Sequence, residues 1–312
     1  MVVVQDFAMH GPRRHAATLS RAVVFGCGAV GALLCRELTA LVDRLVIVDV
    51  RDSASGFSHD HQLRADVRSP TDEVRRTLAQ ADLVILAVPE EAALDGLAGV
   101  TAAMGEGSLL VDTLSVKSRI VSSIRQLDPP LEVLSINPMF APSLGFRGHT
   151  VLAVPVSPGP RSDAFASYLR RWGAKVVFED SEGHDRAAAA LQAVTHAAVI
   201  SFGDALRRLH VDVSDLTCIA PPPHRTLLAL LARVVSGEPD VYLDVQKGNP
   251  FAGEARQALS DALGEFCVLA EGGDQEGFHR RIGALTELLG DLRDPLAHDC
   301  ERMFSALYRA DN

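Results

Sequence analysis

The sequence predicts a doubly wound α/β sheet followed by an all-α domain. Short apolar runs alternate with helical patterns over the first 180 residues, and this alternation is typical of strand–helix–strand units. The first four runs are almost continuously apolar, as in strands that are covered on both faces. From Ser181 onward, helical periodicity replaces the alternation. We therefore divide the chain into an N-terminal tail (1–19), an α/β domain (20–180) and a helical domain (181–312).

Short apolar runs define the strands of the predicted α/β domain. These strands are expected at 22–26, 44–50, 82–89, 108–113, 132–137, 150–156 and 175–180. Helices are expected between them at 29–41, 71–80, 90–97, 116–127 and 162–172. This alternation of strands and helices implies a doubly wound sheet, in which the first four strands are expected to run parallel.

The predicted helical domain opens with residues 181–209, which form one long, Ala-rich helix that we expect to be buried. Further along the chain, apolar residues recur at steps of three or four, which indicates another helix. These residues are Phe278, Ile282, Leu285 and Leu289. Since this half is apolar and offers few strands to cover it, we expect it to pack against a second copy of the chain in a homodimer.

Composition and charge narrow the class of protein. Hydrophobic residues make up 47% of the 312 residues and charged residues 22%, which is typical of a globular chain. The 30 Lys and Arg against 40 Asp and Glu give a net charge of −10, which argues against nucleic acid or an anionic membrane as a partner. We find no apolar run of membrane-spanning length. The five cysteines are scattered without metal-ligand spacing, so we expect no metal site and a reducing, cytoplasmic location.

A glycine-rich loop follows the first predicted strand. Gly26, Gly28 and Gly31 form a G-x-G-x-x-G pattern between a strand and a helix. In this pattern the glycines allow a tight turn, close approach of a pyrophosphate and close helix packing. The helix N-terminus, which begins around Ala29 and Val30, supplies N–H groups and a positive dipole. The loop therefore predicts a Rossmann-like dinucleotide-binding domain.

An acidic residue at the end of the second strand strengthens this prediction. Asp49 follows Gly31 by 18 residues, where a carboxylate would bind the hydroxyls of the adenosine ribose. Its charge would repel a 2′-phosphate, which favours NAD over NADP as the cofactor, although Arg51 weakens this preference. Val88 and Pro89 are expected to border the same site, because ligands bind beyond the carboxyl ends of strands in open α/β sheets.

Three polar residues share one face of the predicted long helix. Asp185, Gln192 and His196 are separated by seven and four residues, and at 100° per residue these steps place them on one stripe. Polar residues in register favour a pocket lining over buried structural groups. Arg233 is an isolated cation after an apolar run, and a structural ion pair and an anion-binding role suit it equally.

Several motifs together resemble those of the prephenate dehydrogenase family. The matching segments are GCGAVG, ADLVILAVP, DTLSVKS, NPMFAP, EGHDRAAAALQAVTHAA and ARVVSGEPDVYLDV. Their order and spacing carry the resemblance, which extends over roughly residues 20–300. It implies a Rossmann-like domain that binds NAD, an all-helical dimerisation domain, and an active site in the cleft between them.

The resemblance also implies roles for individual residues. Ser115 would contact the substrate near the nicotinamide, and His196 would line the substrate pocket, to which the helical stripe adds Gln192. Arg233 would bind a substrate carboxylate, for which a guanidinium fork has suitable geometry. Two further candidates for the same anionic environment are Lys117 and Arg225.

One position departs from the family pattern. In typical members a His precedes the Pro of the NPMF segment, and this His accepts the proton of the ring hydroxyl as hydride leaves the same carbon and carbon dioxide departs. Here the residue is Asn137, which we expect at a strand tip because Pro disfavours helical geometry in the preceding residue. An amide cannot take up a proton near neutral pH, whereas a positioned base contributes about 10²–10⁴-fold to such a reaction.

Three explanations of Asn137 are open. The chain is a weak prephenate or arogenate dehydrogenase, a non-catalytic NAD-binding protein, or an enzyme whose substrate needs no base. An amino group in place of the ring hydroxyl meets the third condition, because the nitrogen lone pair forms an iminium as hydride leaves. We favour this explanation, which resembles the 4-amino-4-deoxyprephenate dehydrogenase branch that supplies 4-aminophenylpyruvate to antibiotic biosynthesis. A 2- or 3-hydroxyacid dehydrogenase would share the glycine loop but not the other motifs.

Overall fold

The structure is a computed structural model that describes residues 19–51 and 61–309. It forms two compact units: residues up to Ala188 with Lys247–Pro250, and Ala189–Gln246 with the residues from Phe251 onward. The first turns of the predicted long helix thus belong with the sheet, because they pack against neighbouring elements of the first unit. The predicted tail, apart from the buried Leu19, lies outside the described residues.

The first unit contains one eight-stranded sheet. Its strands are β1 (Arg21–Phe25), β2 (Arg44–Asp49), β3 (His61–Arg64), β4 (Leu83–Leu86), β5 (Leu109–Asp112), β6 (Glu132–Pro138), β7 (Thr150–Ser157) and β8 (Lys175–Phe178). They lie in the order β3-β2-β1-β4-β5-β6-β7-β8. The chain runs from β1 outward to β3 and then returns to β4 on the other side of β1. The strand order therefore reverses between β1 and β4, which is where open α/β sheets bind their ligands.

Two features of the sheet go beyond the sequence prediction. The edge strand β3 was not predicted, because only Leu63 of its four residues is buried and no apolar run marks it. The strand β7 pairs antiparallel with β6, while β8 is parallel to β7. An apolar run looks the same in either strand direction, so the sequence pattern does not reveal this reversal.

Helices cover both faces of the sheet, as the doubly wound prediction requires. In the first unit they are α1 (Ala29–Leu38), α2 (Asp72–Leu78), α3 (Glu90–Ala103), α4 (Ser118–Leu127), α5 (Pro160–Arg171) and α6 (Ser181–Ala188). Successive strand residues point to opposite faces. Accordingly, Val23 lies in the hydrophobic core that includes residues of α2, α3 and α4, while Val24 lies in the core that includes residues of α1 and α5.

All regular secondary structure in the described residues of the second unit is helical, as predicted. A π-helical turn (Ala189–Ala193) leads into α7 (Val194–Arg208), α8 (Val213–Thr217), α9 (Pro222–Val235), α10 (Pro239–Gly248), α11 (Ala252–Gly272), α12 (Gln275–Leu289) and α13 (Arg293–Arg309). The predicted apolar positions of α12, from Phe278 to Leu289, are between 40% and 48% exposed in the single chain. This unit therefore leaves an apolar helical surface uncovered.

The long helix differs from its prediction in two ways. The π-helical turn interrupts it after Ala188, and in α7 only Val199 is buried, so the helix is not a buried core helix of the single chain. By length and composition alone, the segment Ser181–Arg208 could cross a membrane, contrary to the expectation from the apolar runs. This is weak evidence for a membrane span, because long core helices of soluble proteins meet the same criterion.

Candidate active site

The glycine loop lies between β1 and α1, at the carboxyl end of the central strand. Gly26 has a φ of +87°, which favours glycine, and a Cβ at this position would collide with the carbonyl oxygen of Ala87. A Cβ at Gly31 would collide with the carbonyl oxygen of Gly26. These two glycines are therefore required by the packing of the loop itself.

Gly28 has a different environment. A Cβ at this position would meet nothing within 4 Å, so the space in front of the loop is open. Gly28 is the N-cap residue of α1, no side chain caps this helix, and its first turn, which includes Ala29 and Val30, carries no acidic residue. Open space before an uncapped helix N-terminus fits a pyrophosphate, which the exposed N–H groups and the helix dipole would hold.

Asp49 ends β2 beside the glycine loop and is 6% exposed. Its Oδ2 accepts a hydrogen bond from the backbone N–H of Cys27 at 2.7 Å, and its Oδ1 accepts one from the backbone N–H of Arg51 at 2.9 Å. The guanidinium Nε of Arg51 lies 3.7 Å from Oδ1. The carboxylate thus supports the shape of the loop, in addition to the ribose-binding role that the sequence predicts.

The segment after β4 completes this edge of the sheet. Val88 lies directly against Gly26, and Pro89 is the N-cap residue of α3. The structure therefore brings the predicted cofactor-binding residues together around the carboxyl ends of β1, β2 and β4, on both sides of the point where the strand order reverses.

A buried polar network lies at the carboxyl ends of β5 and β6. Lys117 is 0% exposed, and its Nζ donates to Oδ1 of Asp112 at 2.8 Å and to the carbonyl oxygen of Ile136 at 2.7 Å. Burial lowers the pKa of Lys117, and the Asp112 carboxylate opposes this effect. The prediction that Lys117 binds a substrate anion is wrong in this structure, because its ammonium group is enclosed and paired within the protein.

Asp185 joins this network to helix α4. Its carboxylate accepts hydrogen bonds from the backbone N–H groups of Lys117 at 2.8 Å and Ser118 at 2.9 Å, and from the Ser118 hydroxyl. It therefore caps the N-terminus of α4, although it comes from α6. Burial alone would raise the pKa of Asp185, but hydrogen bonds from His184 and Ser118 hold it below its ordinary value.

His184 is a functional candidate that the sequence reasoning missed. It is 0% exposed, and its Nδ1 lies 2.8 Å from Oδ1 of Asp185, while its Nε2 lies 3.2 Å from Nδ2 of Asn137. Burial lowers the pKa of His184, and the charge of Lys117 acts in the same direction. The available signal is its position next to Asp185 in the EGHDRA segment, but a helical stripe contains only residues three, four or seven apart, which excludes a direct neighbour.

Asn137 lies near the end of β6, as predicted, and is 2% exposed. Its backbone pairs with Leu152 of β7, which fixes the side chain next to His184. Ser115 lies in the loop between β5 and α4 and is partly exposed. Asn137, near the end of β6, and Ser115, after β5, therefore lie at the same edge of the sheet as the glycine loop.

The structure separates the predicted stripe of Asp185, Gln192 and His196 into two groups. The π-helical turn at Ala189–Ala193 breaks the constant step of 100°, so Asp185 does not share an α-helical register with Gln192 and His196. Oε1 of Gln192 and Nδ1 of His196 are buried and have no hydrogen-bond partner among the described residues. Unpaired buried polar atoms are rare in folded proteins, so these two residues remain pocket candidates.

One aromatic and one cationic side chain affect the environment of His196. The ring of Tyr242 meets the ring of His196 edge-on at a centroid distance of 4.9 Å. Burial lowers the pKa of His196, and the positive charge of Arg233 lowers it further. Arg233 is exposed near the C-terminus of α9, whereas Arg225 is partly buried in its first turn. The structure thus places Arg233, more than Arg225, where it can attract an anion beside His196.

Two family models match the chain. One, described as "Prephenate dehydrogenase, nucleotide-binding domain", covers residues 44–149, and the other, "Prephenate dehydrogenase, dimerization domain", covers residues 180–284. These matches correspond to most of the described α/β unit and to the helical unit as far as α12.

Individual relatives agree with these matches. A 4-amino-4-deoxyprephenate dehydrogenase of Streptomyces pristinaespiralis is 43% identical over 286 residues, which are 92% of this chain and 96% of that protein. A probable arogenate/prephenate dehydrogenase of Methanocaldococcus jannaschii is 28% identical over 75% of this chain and 53% of that protein. The crystal structure of prephenate dehydrogenase from Aquifex aeolicus with hydroxyphenyl propionate and NAD+ has a TM-score of 0.67 at 14% identity, covering 88% of this chain and 100% of that one. At this identity the structural likeness shows a shared fold.

Proposed function

The chain belongs to the prephenate dehydrogenase family, and we propose that within it the substrate is 4-amino-4-deoxyprephenate, which is oxidised and decarboxylated to 4-aminophenylpyruvate. Family membership makes the chain an oxidoreductase that acts on prephenate-like substrates. The observation that carries the narrower proposal is Asn137, which lies buried where typical family members have a His. The Streptomyces relative, which has the same name as the proposed activity, supports it.

The proposed cofactor is NAD, which when bound accepts the hydride from ring carbon C4. The uncapped N-terminus of α1 and the open space at Gly28 would hold its pyrophosphate. Asp49 would meet the ribose, and its charge disfavours a 2′-phosphate. Val88 and Pro89 would border the cofactor from the loop after β4.

The amino substrate needs no protein base at the oxidised carbon. In the neutral amine form of the substrate, the nitrogen lone pair moves into the C4–N bond as hydride leaves C4, and an iminium forms. The bond between C1 and its carboxylate then breaks, carbon dioxide leaves, and the released electron pair completes the aromatic ring and neutralises the iminium. The nitrogen keeps its protons throughout these steps. With a ring hydroxyl, the corresponding oxygen cation is far more acidic, so its proton must be accepted as the hydride leaves.

Asn137 suits the amino substrate because its carbonyl oxygen can accept a hydrogen bond from the N–H. As positive charge develops on the nitrogen, this hydrogen bond strengthens, and a fixed dipole of this kind stabilises the transition state. The same carbonyl cannot accept the proton of a hydroxyl. Asn137 would therefore favour a substrate with a ring amino group over one with a ring hydroxyl, without itself taking up a proton.

Several further residues are proposed to contact the substrate. Ser115 would approach the reacting ring, and Gln192 and His196 would use their unpaired polar atoms to bind it. Arg233 would bind a substrate carboxylate with two parallel hydrogen bonds. The exposed apolar faces of α11 to α13 support a homodimer formed through the helical unit. The family model that matches this unit is described as a dimerization domain, which also supports it.

A direct comparison of substrates tests the proposed function. We expect kcat/KM for 4-amino-4-deoxyprephenate to exceed that for prephenate by about 10²-fold or more, because Asn137 lacks the contribution of a general base. Formation of NADH measures both rates, and chromatography identifies the aromatic product. Equal rates, or a preference for prephenate, would contradict the proposal.

The second candidate function is oxidation of prephenate or arogenate, which the Methanocaldococcus relative favours. In that case the oxygen substrate would turn over at least as fast as the amino substrate, and arogenate is included in the comparison for this reason. The third alternative, an NAD-binding protein without catalysis, would produce no NADH with any of these substrates.

Gly28→Ala tests cofactor binding separately from folding. The added methyl group meets no protein atom, and the φ of −68° at Gly28 suits alanine, so we expect the thermal unfolding midpoint to stay unchanged. The methyl group would occupy the space for the pyrophosphate, so KM for NAD should rise about tenfold or more, equivalent to about 1.4 kcal/mol per factor of ten.

The matched control is Gly31→Ala, whose methyl group would collide with the carbonyl oxygen of Gly26. We expect this variant to lose about 1–3 kcal/mol of stability through overpacking. If Gly28→Ala leaves NAD binding at the wild-type level, the pyrophosphate does not bind at this loop.

A further inference from the structure

The side-chain amide of Asn137 has a described hydrogen-bond partner at its nitrogen and none at its oxygen. Its Nδ2 is paired with Nε2 of His184 at 3.2 Å, and among the residues that the structure describes no group is hydrogen-bonded to its Oδ1. The oxygen and nitrogen of an amide lie on opposite sides of one planar carbon. Directing the NH2 group towards His184 therefore turns the carbonyl oxygen away from it, as an unoccupied acceptor.

The hydrogen bonds along this chain of residues have one consistent direction. An ionised Asp185 can only accept, so Nδ1 of His184 carries the proton that bonds to it at 2.8 Å. A neutral imidazole has a single N–H, which leaves Nε2 as an acceptor. Asn137 must then offer its NH2 group, because a reversed amide would bring two acceptors face to face.

The pair that sets this direction is held rigidly. Asp185 and His184 are both 0% exposed, and the Asp185 carboxylate is bound by the N-terminal N–H groups of α4, at Lys117 and Ser118. A buried carboxylate with this many donors keeps one position, and His184 is fixed through it. The orientation of Asn137 is therefore established before any substrate binds.

We propose that His184 and Asp185 are positioning residues that orient the Asn137 amide, so that its carbonyl oxygen is the group presented to the substrate. An acceptor at this place selects a ring substituent that donates an N–H and keeps it. The selectivity part of this inference rests on the proposed function, whereas the orientation part concerns the free enzyme alone.

Nuclear magnetic resonance tests the orientation in the free enzyme. In protein labelled with 15N-histidine, long-range 1H–15N spectra report which ring nitrogen carries the proton, and the His184→Gln variant assigns the signal. At neutral pH we expect His184 to be protonated on Nδ1 only. A proton on Nε2 would overturn the proposal, because it would require Asn137 to present its NH2 group instead.

Two variants of His184 test the consequence for catalysis. Gln offers a neighbouring donor and acceptor as the imidazole does, so His184→Gln should retain kcat. Leu offers neither, so His184→Leu should lower kcat for 4-amino-4-deoxyprephenate by about tenfold or more, since the acceptor is no longer preorganised. Rates are expressed per folded active site, counted by bound NAD.

A merely structural role of His184 would lower turnover of 4-amino-4-deoxyprephenate and prephenate by the same factor. The proposal instead predicts that the ratio of the two kcat values falls in His184→Leu and is restored in His184→Gln. An unchanged ratio, or an equal loss in both variants, would overturn it. If the wild type prefers prephenate, the proposed function fails, while the Nδ1 protonation of His184 still decides the orientation.

Discussion

Replacing Asn137 by His is expected to raise prephenate oxidation by one or more orders of magnitude, since a positioned general base contributes about 10²–10⁴-fold. The new imidazole would lie beside His184, whose Nε2 accepts a hydrogen bond at this position. It would donate one N–H there and leave its second nitrogen as a base towards the substrate. The existing network would thus select a useful tautomer of the introduced side chain. Steady-state kcat/KM with prephenate and NAD measures the gain.

The matched control for this substitution is Asn137→Gln, which enlarges the side chain but adds no titrating group. We expect Asn137→Gln to leave kcat/KM for prephenate unchanged. The comparison then separates the effect of a larger side chain from the effect of a basic one. In Asn137→His the amino substrate should lose part of its advantage, because the fixed carbonyl acceptor is gone. If Asn137→His does not exceed Asn137→Gln in prephenate oxidation, our account of Asn137 is wrong.

Replacing Lys117 by Met is expected to destabilise the α/β unit by about 3–5 kcal/mol, because breaking a buried pair leaves an uncompensated charge. Lys117 is 0% and Asp112 1% exposed, and Oδ2 of Asp112 already lacks a partner among the described residues. Denaturant unfolding followed by Trp fluorescence measures the loss. The single tryptophan, Trp172, packs against Phe146 and Phe165 in the same unit and therefore reports on it.

Lys175→Met is the matched control, since Lys175 is exposed at the start of β8. A surface substitution of this kind is expected to change stability by no more than about 0.5 kcal/mol. Adding Asp112→Asn to Lys117→Met should recover part of the loss, because it removes the unpaired charge. A loss below about 1 kcal/mol in Lys117→Met would show that the pair contributes no more than an exposed one.

Features with a local signature were predictable from the sequence. The glycine loop is recognisable in the sequence because Gly26 and Gly31 occupy positions that exclude a Cβ, and only glycine meets that requirement. Strands with two buried faces appear as continuous apolar runs, so all but the short edge strand β3 were predicted. Asn137 was placed at the end of its strand because Pro138 restricts the residue before it.

The roles of Lys117 and His184 required the tertiary structure. Lysine is usually an exposed cation, and nothing near Lys117 in the sequence shows that the carboxylate of Asp112 and the carbonyl of Ile136 enclose its ammonium group. The role of His184 depends on its hydrogen bond with Asn137, which lies 47 residues away along the chain. The antiparallel direction of β7 and the π-helical turn after Ala188 also depend on packing rather than on local composition.

The sequence by itself determined which residue types are available: a glycine loop for a dinucleotide, an acid after the second strand, and an amide where the family usually has a base. It did so because backbone geometry and burial act on neighbouring residues. The tertiary structure decided how these groups are oriented, and above all that the amide of Asn137 directs its NH2 group at His184. Hydrogen-bond direction is settled by partners that only folding brings together, so it could not be read from residues in order.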